Sequence, residues 1–214
     1  MKKQILLSLA LIATLASSIK VQAQDDQMRT LFKGNHRTTA YGAMTNKFTE
    51  IDGQFVNLVG IYGGVYLNRK VMIGIGGAAS TNFVPVPQEF SSQPFQDMSY
   101  EYVQFGSVFE FVAGSNKLFH PVFHLFAGPG LTIQYDRYTD GHDDWHSWDD
   151  RESHDENWFM VTEPGVQIEM NVFKWMRFSP GVSYRFVYGN DAKGLSDSKL
   201  SAMNVNLTLK FGRF

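Results

Sequence analysis

The sequence predicts an all-β chain: an eight-stranded antiparallel up-and-down transmembrane β-barrel preceded by a cleaved signal peptide. Three observations lead there. Apolar and polar residues alternate with period two over eight long segments, the connections between those segments alternate short and long, and the chain opens on an export signal.

The export signal is the first element. Lys2 and Lys3 precede an uncharged, mostly apolar run from Ile5 to Ile19. That run is shorter than the roughly 20 residues of a membrane helix. Val21 and Ala23 place small residues at the −3 and −1 positions of a cut after Ala23, the pattern of a secretory signal peptide. Residues 1–23 are therefore read as the signal and the polar stretch 24–36 as a leader. Residues 37–214 are the barrel domain. The 214 residues include no cysteine, so an exported chain has no disulfide to staple it and no thiol to acylate. No later apolar run is long enough for a membrane helix, but a spanning strand needs only about 9–11 alternating residues.

The expected strands are 37–48, 53–67, 70–83, 99–113, 118–135, 157–172, 175–189 and 199–214. In "YEYVQFGSVFEF" one face carries Val103, Phe105, Phe109 and Phe111, and the other Tyr102, Gln104, Gly106 and Glu110. In "MRFSPGVSYRFVY" Met176, Phe178, Val182, Tyr184 and Phe186 alternate with Arg177, Ser179, Gly181, Ser183 and Arg185. In "MNVNLTLKF" Met203, Val205, Leu207, Leu209 and Phe211 alternate with Asn204, Asn206, Thr208 and Lys210. Alternation of this length argues strand over helix. The second and third segments are glycine-rich and leave their register open.

The short connections are "TEIDG", "NRK", "GSNK" and "FKW"; the longer ones are 84–98, 136–156 and 190–198. In an up-and-down barrel this alternation gathers the longer loops at one end, as in barrels with short periplasmic turns and longer outside loops. Pro129, Pro164 and Pro180 recur in "GPGLTIQY", "EPGVQIEM" and "SPGVSYRF". Each lacks a ladder donor, so a bulge or a missing ladder bond is expected there.

The second face decides what the apolar face meets. It carries Glu110, Glu163, Gln167, Glu169, Arg177, Arg185 and Lys210. Strands this long exceed those usual in soluble sandwiches. In a small barrel such a face fills the interior, where charges must pair because an isolated buried charge is prohibitive. Acids on the fourth and sixth strands are expected to face bases on the seventh and eighth. Tyr100, Tyr102, Tyr135, Trp158, Phe159, Trp175 and Tyr188 lie near strand ends and are expected in the interfacial girdles.

On the signal peptide, the eight alternating segments and the ending "NVNLTLKFGRF", the chain resembles the small eight-stranded outer-membrane β-barrels of Gram-negative bacteria, the outer-membrane-protein β-barrel domain group. The resemblance covers residues 37–214 and implies an outer-membrane location. It also implies a terminal assembly signal, in which the last strand closes on an aromatic residue. Phe211 and Phe214 are the candidates; Phe211 has apolar parity and Phe214 polar parity. The partners this implies are outer-membrane lipid and the barrel assembly machinery, with no nucleic acid and the chain a monomer.

Three functions suit such a barrel. An eight-stranded barrel is just wide enough for side chains to fill it, which favours a porin-like but non-enzymatic scaffold displaying its outside loops. A narrow channel for ions or small solutes is the alternative. The other is a lipid-modifying enzyme, for which His120, His124, Ser107 and Ser183 supply residue types, but no G-x-S-x-G or H-E-x-x-H motif occurs. No catalytic residue is assigned. A soluble lipocalin-like barrel would begin with a G-x-W motif that the sequence lacks.

The longest loop, 136–156, holds nine acidic and two basic residues. It carries the negative balance of a chain that is otherwise slightly positive once the signal is removed. A solvated display loop for an unknown surface ligand explains it. No cofactor is expected, apart from a divalent cation for which His142, Asp143, Asp144, His146, Asp149, Asp150 and His154 are the candidate ligands: calcium through the carboxylates, zinc through the histidines.

Overall fold

In the computed structural model the described residues are 38–93, 96–136 and 156–214. The expected signal peptide, leader and most of the acidic loop lie outside them.

Eight long strands form one antiparallel sheet: β1 (Thr38–Ile51), β2 (Gln54–Leu67), β3 (Val71–Ser80), β4 (Met98–Val112), β5 (Phe119–Asp136), β6 (Asn157–Phe173), β7 (Met176–Tyr188) and β8 (Ala202–Gly212). Each pairs with its neighbour in sequence. β1 pairs with β8 from Tyr41↔Gly212 to Phe48↔Val205, and β3 pairs with β4 from Val71↔Phe111 to Ala79↔Val103. The sheet therefore closes on itself and leaves no free edge, the condition for strands to cross a bilayer with every ladder group satisfied. A two-residue bridge, Val84–Pro85, adds to β4 at the long-loop end.

The expected segments overlap all eight strands, with shifted ends. β1 runs on to Ile51, because Asp52 and Gly53 both take positive φ (52° and 73°) and make a two-residue hairpin turn. The last strand starts at Ala202 instead of 199. Residues Asp197–Leu200 wind into one helical turn, and Asp197 accepts the amide protons of Gly189 and Asn190.

The three prolines lie inside strands and face outward. The register is the same on both sides of each: β4–β5 pairing skips Gly128 and Pro129, and β6–β7 pairing skips Pro164 and Pro180. The missing donor thus costs a ladder gap and no bulge. The register shift that does occur lies at Asn171/Phe173, beside the Lys174–Trp175 turn.

Side chains of one parity point outward. Ile61, Ile73, Ile75, Phe105, Phe123, Val166, Ile168, Val205 and Leu207 are all exposed. A continuous apolar exterior of this size has no place in water and is the lipid face of the barrel. Trp158, Trp175 and Tyr188 stand on this surface near strand ends. Tyr100, Tyr102 and Phe159, expected in the same girdles, are instead buried inside. Their positions have the inward parity of β4 and β6, which overrides their aromatic character.

On the inward face, glycines at Gly64, Gly74, Gly106 and Gly128 let β2 to β5 approach closely. A Cβ on Gly74 would stand 2.2 Å from the carbonyl oxygen of Gly63, and one on Gly128 2.2 Å from that of Phe105.

Candidate functional site

The interior of the barrel is built in three layers. At the long-loop end an apolar cluster fills it, including Ile51, Val56, Leu58, Tyr102, Phe159 and Leu200. The connection after β7 folds over this cluster: Ala192 and Leu195 are buried in it, and Tyr100 donates its hydroxyl to the Lys193 carbonyl at 2.7 Å.

The middle layer centres on Glu163, which is fully buried. Lys47 Nζ donates to both its carboxylate oxygens at 2.7 Å, Ser183 Oγ donates at 2.7 Å, and Gln104 Nε2 at 3.1 Å. Asn204 and Asn206 extend this network by donating to Ser183 Oγ. A carboxylate with this many donors stays satisfied away from water.

The layer nearest the short turns holds two carboxylates bridged by one cation. Lys210 Nζ lies 2.9 and 3.0 Å from the Glu110 oxygens and 2.8 Å from Glu169 Oε2. Glu110 also accepts from the hydroxyls of Tyr41 and Tyr62 and contacts His124 Nδ1 at 3.1 Å. Glu169 meets Arg177 Nη1 at 2.5 Å, His120 Nε2 at 2.8 Å and Ser179 Oγ at 3.2 Å. Between this layer and the middle one is a cavity of about 20 Å³, lined by Thr45, Lys47, Tyr62, Gln104, His124, Gln167 and Asn206. That is room for a single water. Gln167 Oε1 and Asn206 Oδ1, on its wall, have no protein partner among the described residues.

All seven interior residues named from the sequence are buried, but they do not form one network. Glu110, Glu169, Arg177 and Lys210 come together, and Glu163 stands apart with Lys47. Arg185 meets no carboxylate among the described residues. It donates to the carbonyls of Leu200 (2.7 Å) and Glu50 (2.9 Å), and its guanidinium lies 4.8 Å from the Tyr102 ring centroid. The sequence reading missed Lys47. Its parity in β1, shared with Tyr41, Ala43 and Thr45, carried the signal.

Ser107 is on the exposed exterior, while Ser183 is bonded to Glu163, so neither meets a histidine as a nucleophile would. His120 uses both ring nitrogens, on Glu169 and on the Lys117 carbonyl. Phe211 stacks outside on Trp175 with centroids 6.1 Å apart. Phe214 turns inward against Tyr41 at 5.5 Å and beneath Arg177 at 3.9 Å. The candidate loop ligands His142, Asp143, Asp144, His146, Asp149, Asp150 and His154 lie outside the described residues.

Compared by sequence, the chain matches no family model and no curated relative. By structure it matches the neisserial surface protein A, with a TM-score of 0.54 at 7% identity, over 83% of this chain and 99% of that one. The chain has the fold of the small eight-stranded outer-membrane barrels. The N-terminal barrel domain of OprF from Pseudomonas aeruginosa matches with a TM-score of 0.49 at 9% identity, over 83% and 99% of the two chains. Ail, the attachment invasion locus protein of Yersinia pestis, matches at 0.47 and 11% identity, over 83% and 98%. In this barrel the apolar exterior is the surface suited to acyl chains, and the interior is filled in layers.

Proposed function

We propose that this outer-membrane barrel is a non-conducting, non-enzymatic scaffold that holds its long loops at the cell surface for interaction. One observation carries the reading: the lumen is filled. The apolar cluster, the Glu163 layer and the Lys210 layer succeed one another along the axis, and the cavity between the two polar layers holds no more than a water. Ion conduction needs a continuous wet path, and these packed layers argue against one. His120 and His124, committed to Glu169 and Glu110, are turned away from a lipid substrate.

On this reading the working part is the loop end, where segment 136–156 meets a surface ligand of unidentified chemistry. The barrel itself deals only with outer-membrane lipid and, during insertion, with the assembly machinery that reads its aromatic C-terminal end. It acts as a monomer.

Planar-bilayer recording of the folded full chain tests the proposal. The scaffold reading expects no discrete steps above the bare bilayer. Stepwise conductance that persists in a variant lacking 140–156 would replace it with the narrow-channel reading. Release of label from a fluorescent phospholipid, abolished in His120→Ala or His124→Ala, would replace it with the enzyme reading.

A further inference from the structure

The two ends of the barrel differ in charge. The short turns and the C-terminal end carry Arg69, Lys70, Lys117, Lys174 and Arg213. Among the described residues the segments 68–70, 113–118, 174–175 and 212–214 contain no Asp or Glu. An open pocket of about 650 Å³ lies at this mouth, lined by Arg69, Ser115, Asn171, Lys174, Arg177 and Phe214 among others.

Arg177 gives the pocket a built wall. It is only 4% exposed, its Nη1 is fixed on Glu169 at 2.5 Å, and Phe214 packs against its guanidinium at 3.9 Å. Its Nε–H has no hydrogen-bond partner among the described residues. That N–H is closed off from solvent, so Arg177 acts on the pocket as a fixed positive charge behind its wall. Arg69 sits in a type I′ turn with φ 56°, and its carbonyl accepts the Tyr66 hydroxyl at 2.7 Å. The backbone of the turn is thereby tied to the strand that precedes it. Lys174 is flanked by Phe173 and Trp175, whose rings stack at 5.6 Å on the exterior. The pocket therefore opens where the aromatic girdle meets water, at the height of lipid headgroups.

We propose that this mouth is an anion site for a phosphate group, with Arg69 and Lys174 as its donors and the buried Arg177 guanidinium as the positive charge behind them. Arginine's planar fork and a mobile ammonium together suit a tetrahedral oxyanion. The pocket is large enough for a phosphate that carries an ester substituent. Two sources share that chemistry: the phosphodiester headgroup of a phospholipid and free phosphate.

The test uses the full chain folded in an uncharged detergent. Calorimetric titration with inorganic phosphate is compared with chloride at equal ionic strength. Native mass spectrometry with short-chain phosphatidylglycerol and phosphatidylcholine follows. Saturable phosphate binding without retained lipid identifies free phosphate as the ligand; retained lipid identifies a headgroup. In either case Arg69→Gln/Lys174→Gln should weaken binding by about tenfold or more, the loss expected when charged hydrogen bonds are removed. Arg69→Lys/Lys174→Arg should retain it. Heat-modifiable gel mobility checks that each variant is folded. Binding of neither probe, or equal binding by the Gln double variant, overturns the proposal.

Discussion

Lys210 on β8 reaches across the lumen to Glu110 on β4, with its Nζ 2.9 and 3.0 Å from the two carboxylate oxygens. In the closed strand order these two strands stand opposite each other. The pair therefore spans the barrel and ties together walls that share no ladder. Lys210→Met should strand negative charge on Glu110 and Glu169 and cost about 3–5 kcal/mol, as for other broken buried pairs. Urea unfolding of the barrel in detergent measures this. An unchanged midpoint would mean that water reaches these groups.

Lys47 and Glu163 form the second test. Lys47→Met alone should be strongly destabilising, because it removes the cation that holds Glu163 by two bonds. The double variant Lys47→Met/Glu163→Leu should recover a large part of the loss, since a buried ion pair replaced by apolar groups is often near neutral. A double-mutant cycle with no coupling energy would contradict this contact.

Arg185 should behave differently from Lys210. It binds two carbonyls and an aromatic face. Arg185→Ala should cost about 1–3 kcal/mol, the range for buried hydrogen-bonding groups left unsatisfied. The effect should appear first as faster proteolysis of the 189–201 connection, with the barrel intact. A loss equal to that of Lys210→Met would point to an anionic partner.

Gly128→Val should prevent closure, because its Cβ alone would lie 2.2 Å from a backbone oxygen of β4. The folded wild type should migrate differently before and after boiling. The variant should show one band regardless of heating, and a normal shift would mean that the β4–β5 wall relaxes.

Parity was the legible part of this molecule. The alternation of Phe105, Phe109 and Phe111 with Gln104 and Glu110 placed each on its side of the wall, because a strand's side-chain period is fixed at two. Residue type misleads where it competes with parity: Tyr100, Tyr102 and Phe159 read as girdle aromatics yet point inward. Partner choice across the lumen was not legible. It depends on strand tilt and stagger, which decide the height of each side chain along the axis. Lys210 thereby meets Glu110 while Arg185, also facing inward, lies beyond Glu110, Glu163 and Glu169 and bonds carbonyls at the loop end. The pocket at the short-turn mouth was equally hidden, since its cations come from separate turns.

The strand that completes the interior, β8, is also the one that closes the seam against β1. Until β8 joins β1, Lys210 is absent from the lumen, and Glu110 and Glu169 face each other without the cation that bridges them. An almost-complete sheet is thus electrostatically worse than its contact area suggests, and closing one seam relieves two carboxylates together. Seven-stranded intermediates should accordingly be sparse, and insertion should read kinetically as a single step in which Lys210→Met slows the final closure more than the arrival of β1 to β7 at the membrane.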